Sequence, residues 1–161
     1  MANDSVEQTF AALVEFIANK FLRGDITVAD LLGLDEEEIE TIFLMGHYLY
    51  NFGKYQGALD VFSVLTLYRP FVSRYWRAAG AANQALKNYQ EAIAAYDMAL
   101  TTNTGDVISY TYRGESKISA GLAEDGISDL RVAVEVGESQ PFYNQWVNRA
   151  RTLLQVRGVT A

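Results

Sequence analysis

Apolar side chains recur along this chain at helical spacing. Between Val6 and Leu22, the residues Phe10, Leu13, Val14, Ile17 and Phe21 form one stripe, which predicts an amphipathic helix ending at Gly24. Thr27 opens a short helix through Leu31 and Leu32 that ends near Gly33. Asp35 followed by Glu38 reads as a capping pair at the start of the next helix. From there to about residue 140 the pattern repeats itself. Gly46, Gly80 and Gly114 are 34 residues apart, as are Ala58, Ala92 and Gly126. Phe62, Tyr96 and Leu130 keep the same interval, and so do Leu65, Ala99 and Ala133. A last helix, Phe142 to Val156, places Trp146, Ala150, Leu153 and Leu154 on one face.

The residue types at these positions imply pairs of helices, A and B, that cross closely. Gly46, Gly80 and Gly114 sit on helix A where a side chain would push the pair apart, with Ala58, Ala92 and Gly126 expected opposite on helix B. Phe62, Tyr96 and Leu130 are then expected to fill the space between one hairpin and the next. Gly53 and Gly121 suit the left-handed conformation that ends a helix A, and Asn88 is the residue that tolerates it in the middle turn.

A 34-residue helical hairpin resembles the tetratricopeptide (TPR) repeat, whose pattern is W-x2-L-G-x2-Y, then A-x3-F, then P. Residues 39–72 match it through Ile42, Met45, Gly46, Leu49, Ala58, Phe62 and Pro70. Residues 73–106 match through Trp76, Ala79, Gly80, Ala92 and Tyr96, departing at Asn83 and Thr104. Residues 107–140 match through Tyr110, Gly114, Gly126, Leu130 and Ala133, departing at Arg113, Lys117 and Glu138. The expected architecture is all-α: three TPR hairpins in a right-handed superhelix over 39–140, a helical extension over 1–38, and a capping helix over 141–161 that hides the apolar edge of the third repeat.

Composition removes several classes of function. There is no cysteine, so disulfides, thiolate zinc sites and cysteine nucleophiles are out of reach. A single histidine, His47, leaves no material for a histidine metal cluster or a Ser-His-Asp arrangement. Asp35-Glu36-Glu37-Glu38 lies at a helix N-terminus, where acidic residues offset the macrodipole. The glycines fall at repeat contacts and turns and form no phosphate loop. The net charge of −7 is spread along the chain, with no basic stripe for nucleic acid. No apolar run is long enough to cross a bilayer, and the N-terminus lacks a signal pattern. These features predict a cytoplasmic protein that is not an enzyme, needs no metal or cofactor, binds no nucleic acid and does not insert into membranes.

Stacked hairpins curve, and their A helices line a concave surface suited to a peptide or a helix. The side chains expected there come from equivalent positions of each helix A. In the first repeat they are Glu40, Phe43, His47, Tyr50 and Asn51; in the second, Arg74, Arg77, Ala81, Gln84 and Ala85; in the third, Ile108, Thr111, Glu115, Ile118 and Ser119. Ala78, Ala81 and Ala85 leave room, and Phe43 and Tyr50 supply walls. TPR co-chaperones that grip heat-shock protein tails use a lysine, asparagine and arginine clamp. The matching positions here hold Phe43, His47, Ala78, Ile108 and Tyr112, so that clamp is absent.

Residues Gly24 to Gly137 resemble one TPR branch more closely, the class II chaperones of bacterial type III secretion. The matching stretches are Gly24-Asp-Ile-Thr27-Val-Ala-Asp-Leu31-Leu32-Gly33, Ile42 to Tyr50, Gly53-Lys54-Tyr55, Ser73 to Ala81 and Tyr89 to Tyr96. The resemblance implies a chaperone that holds an extended segment of a hydrophobic translocator protein in its concave groove, keeping it soluble and export-competent. It also implies Phe43, Tyr50 and Tyr75 as aromatic contacts, Ala78 and Ala81 as the floor, and homodimerisation through Phe10, Leu13, Ile17 and Phe21. From the residues alone, that N-terminal stripe is equally compatible with packing back on the first repeat. The alternative function is a TPR scaffold holding a folded partner in a larger assembly.

Overall fold

The computed structural model describes residues 2–159, with side chains from residue 12 onwards. The described residues form α-helices and no strand: α1 (Ala2–Leu22), α2 (Val28–Leu32), α3 (Glu36–Asn51), α4 (Tyr55–Tyr68), α5 (Ser73–Ala85), α6 (Tyr89–Thr102), α7 (Val107–Ser119), α8 (Ala123–Gly137) and α9 (Asn144–Val156). A single 3-10 turn, Pro141–Tyr143, leads into α9. The pairs α3–α4, α5–α6 and α7–α8 are the three hairpins, and packing runs from each helix to the next in the chain. No helix among the described residues is long and apolar enough to cross a membrane.

Local chemistry sets the helix ends. The Thr27 side chain accepts from the Asp30 amide and the Asp30 carboxylate accepts from Thr27, closing a capping box on α2. Asp35 and Glu38 close another on α3, at 2.8 and 3.0 Å. Gly53 and Gly121 take the left-handed conformation, with φ of 72° and 87°. In the middle turn that conformation falls on Lys87 (φ 65°) and not on Asn88, which is the residue before α6 with φ −80°. The reason is the period itself: positions 53, 87 and 121 are equivalent, 34 residues apart. A left-handed lysine carries about 1 kcal/mol of strain. Lys87→Gly is therefore expected to raise the urea midpoint by about 0.5–1 kcal/mol of stability, a gain that equilibrium unfolding would register.

The crossing differs from the expected one in the first two hairpins. In the first two repeats the glycine faces the large residue of its own helix B and not the alanine four positions earlier. A Cβ at Gly46 would enter the Phe62 ring, and one at Gly80 would lie 2.7 Å from the Tyr96 ring. Phe62 and Tyr96 thus wedge inside their hairpins, where both are buried. In the third repeat Leu130 is the shorter wedge, and the helices close until backbone meets backbone. A Cβ at Gly114 would lie 2.8 Å from the Gly126 carbonyl oxygen, so here small does face small.

Two buried clusters make up the core. One joins α2 through α6, with Ala29, Ile39, Phe62, Leu65, Tyr75 and Ala82 at its centre. The other joins α7, α8 and α9 through Val107, Leu130, Ala133, Val147, Ala150 and Leu154. Helix α9 thus packs on α7 and α8 through Val147, Ala150 and Leu154, each fully buried Val or Leu contributing about 1.5–3 kcal/mol. Arg113 and Lys117, the departures of the third repeat, turn away from the concave side. Both pair with the buried Asp129 carboxylate, at 2.6 and 2.8 Å, and Arg113 also reaches Asp97 at 2.6 Å.

Helix α1 behaves differently. No comparable packing of α1 on the repeats exists among the described residues. Leu13, Val14, Phe16 and Leu22 are exposed, and Ile17 and Phe21 are half-exposed. The side chain of Phe10 lies outside the described residues.

Candidate partner-binding groove

Helices α3, α5 and α7 bring their equivalent positions side by side along the concave face. A hollow of about 470 Å³ lies between His47, Tyr50 and Asn51 of α3, Ala78, Ala81, Gln84 and Ala85 of α5, and Tyr112 of α7. Phe62 and Arg149 complete its lining. A second hollow of about 390 Å³ continues from it, sharing His47, Ala78, Ala81 and Tyr112. Its further walls are Phe43, Arg74, Arg77, Ile108, Phe142 and Trp146. The alanines make this space: a larger side chain at position 78 or 81 would occupy it.

The charged groups of the groove are paired with one another. Arg74 donates to Glu40 at 2.7 Å, and its guanidinium lies 4.9 Å over the Phe43 ring. Arg77 donates to the buried Asp106 at 2.7 Å. Arg149 pairs with Glu115, one of its two contacts being 2.9 Å, and stands 5.6 Å over the Tyr112 ring. Gln84 donates to Glu115 at 3.2 Å and accepts from the Tyr96 hydroxyl at 2.9 Å. His47 lies edge-on to Phe43 and Phe62, with ring centroids 4.4 and 5.4 Å away. Burial, and then the Arg77 charge, push its pKa below the ordinary 6.5, while Glu40 opposes them. The imidazole is therefore neutral at pH 7. The second hollow is therefore lined mainly by apolar and aromatic side chains, the first adds Asn51 and Gln84, and the arginines of both are already paired.

Most of the residues expected in the groove meet there: Phe43, His47, Tyr50, Arg74, Arg77, Ala78, Ala81, Gln84, Ile108 and Tyr112 line it, with Glu115 bonded to two lining residues. Two do not. Tyr75 is 1% exposed, packed beneath Phe43 with its hydroxyl accepting from Arg74 at 3.0 Å. Thr111 is fully buried and its hydroxyl donates to the Val107 carbonyl at 2.9 Å. Tyr75 and Thr111 face the core because the stripe on the concave side is narrower than the stripe that meets the neighbouring helix. Phe142, Trp146 and Arg149 line the groove without having been expected there. The period, carried one step past residue 140, locates them: Phe142 follows Arg74 and Ile108, Trp146 follows Ala78 and Tyr112, and Arg149 follows Ala81 and Glu115, each at 34.

No family model matches the chain. Low calcium response locus protein H of Yersinia pseudotuberculosis is 24% identical over 149 residues, spanning 92% of this chain and 89% of that protein. Among solved structures, the type III secretion translocator chaperone SycD of Yersinia enterocolitica superposes with a TM-score of 0.77 at 24% identity, covering 81% of this chain and 97% of SycD. The chain has the fold of the translocator chaperones. SycD in complex with a peptide of the translocator YopD matches with a TM-score of 0.72 at 23% identity, over 76% of this chain and 93% of that one. The helical-hairpin architecture and the resemblance noted in the sequence therefore agree.

Proposed function

We propose that this chain is a type III secretion chaperone: it holds an extended segment of a hydrophobic translocator in the groove of α3, α5 and α7 and keeps that client soluble until export. The observation that carries this reading is the pair of continuous hollows, floored by Ala78 and Ala81 and walled by aromatics, with every lining arginine already paired. Such a surface favours aliphatic anchors over charged ones. Each anchor fully buried there contributes about 1.5–3 kcal/mol, so a few sustain micromolar binding after ordering costs. The peptide of YopD held by SycD supports an occupant of this kind. The action is binding and not catalysis, and its place is the bacterial cytoplasm, where a client waits before secretion. The exposed stripe of α1, with Leu13, Ile17 and Phe21, is proposed to pair with its copy in a homodimer.

Ala81→Arg tests the groove, because it fills the space shared by both hollows and brings an unpaired charge. Co-expressed with the translocators of the source organism, the wild type is expected to keep one of them in the soluble fraction. The variant is expected to lose it at an unchanged melting temperature. Capture that survives the substitution would overturn this reading and favour the scaffold.

A further inference from the structure

The C-terminal helix is a cap, yet its exposed residues continue the groove. Helix α9 stands where the A helix of a fourth repeat would stand, packed on α7 and α8. The ion pairs record the same register. Glu40 and Arg74 are 34 residues apart and bonded, and so are Glu115 and Arg149. Each pair joins equivalent or near-equivalent faces of neighbouring A helices, so α9 is held to α7 as α5 is held to α3.

A capping helix needs only its inner face. Val147, Ala150 and Leu154 supply that, all buried. Phe142 contributes little to it: 74% exposed, it meets Tyr143 edge-on and Trp146 at a tilt at the lip of the second hollow. Trp146 is half-buried beside it and lines the second hollow together with Phe43, Ile108, Ala78 and Ala81.

We propose that Phe142 and Trp146 form the fourth wall of the client site, and that the second hollow is a socket for an uncharged aliphatic anchor of the bound segment. This rests on the chaperone reading above. The choice of occupant follows from continuity and charge. The socket shares four lining residues with the first hollow, so one extended chain passes through both. Its two arginines, Arg74 and Arg77, are committed to Glu40 and Asp106, which leaves no free charge to attract a carboxylate. Arg149, held by Glu115, closes the other side over Tyr112.

The test uses the full-length protein and fluorescein-labelled peptides: the YopD peptide, and 15-residue peptides tiled across the translocators of the source organism, read by anisotropy. Phe142→Ser is chosen because the side chain is largely exposed, with Trp146→Gln as a second variant and Ala81→Arg as the groove control. Wild type is expected to bind at least one peptide, Phe142→Ser to weaken it about tenfold, which is about 1.4 kcal/mol, and Trp146→Gln at least as much, both at wild-type melting temperature. Binding of a peptide by wild type with an unchanged Kd in both variants would overturn the fourth wall and leave the chaperone reading standing. Binding of no peptide would overturn both. Conversion of a dimer to a monomer by Phe142→Ser, with the peptide Kd unchanged, would assign the surface to a second copy and overturn the proposal.

Discussion

An Asp106→Ala variant is expected to lose about 3–5 kcal/mol of folding stability, the cost of removing one partner of a buried ion pair. The carboxylate is 1% exposed and ties two helices, α5 and α7, together. It accepts from the Ile108 and Ser109 amides at 3.2 and 3.3 Å, capping α7. It also accepts from the Ser109 hydroxyl at 2.9 Å, from Ser73 at 3.3 Å and from Arg77 of α5 at 2.7 Å. Alanine leaves all five donors short, and the Arg77 charge unpaired beside the groove. Urea unfolding should show a lower midpoint at an unchanged slope. Asp106→Asn, which keeps an oxygen for the cap, is expected to fall between the two. A midpoint for the alanine variant equal to wild type would mean that the five-way contact holds nothing together.

The second large effect belongs to Gly114→Ala, expected to cost about 3 kcal/mol, the upper end of what overpacking commonly costs. The added methyl would lie 2.8 Å from the Gly126 carbonyl oxygen and 3.0 Å from Leu130. The first obstacle is backbone, so a rotamer change cannot relieve it; α7 and α8 must separate. Gly105→Ala is the control, since the nearest atom to its Cβ is an Asn103 side-chain oxygen at 3.7 Å. Thermal melts should separate the two by about 6–12 °C. If they melted together, the close approach of α7 and α8 would be refuted.

Both residues show how far the sequence could be read. Gly114 announced itself through periodicity, because a crossing that excludes side chains leaves a glycine at every repeat. What periodicity does not say is which residue the glycine meets. That depends on the size of the wedge: Phe62 and Tyr96 hold their hairpins open around a ring, and Leu130 lets the third one close onto Gly126. Asp106 carried no such signal, since its equivalents are Val72 and Gln140 and its role comes from a hydroxyl and an arginine on another helix, α5. The same limit explains Tyr75 and Thr111. One residue along a helix turns the side chain by about 100°, enough to carry it from the groove to the core. Lys87 was hidden by the habit of placing asparagine at left-handed turns, although its repeat position was that of Gly53 and Gly121. The groove face of α9 was legible in principle, but only by extending the period beyond the last hairpin, where no second helix signals a repeat. For α1 the stripe was visible and its partner was not, because an apolar face says that it will be covered and not by what.

The neighbour-to-neighbour packing has a consequence in time. Each hairpin closes over a loop of few residues, and each joins the next within little more than one repeat, so the native contacts are short in sequence. Chains of that kind search little before they pair, and helical proteins of low contact order fold in microseconds to milliseconds. A ribosome adds only about 5–20 residues each second. The first hairpin can therefore fold while the third is still being made. Under the chaperone function proposed above, early folding would ready the groove before an aggregation-prone client is met.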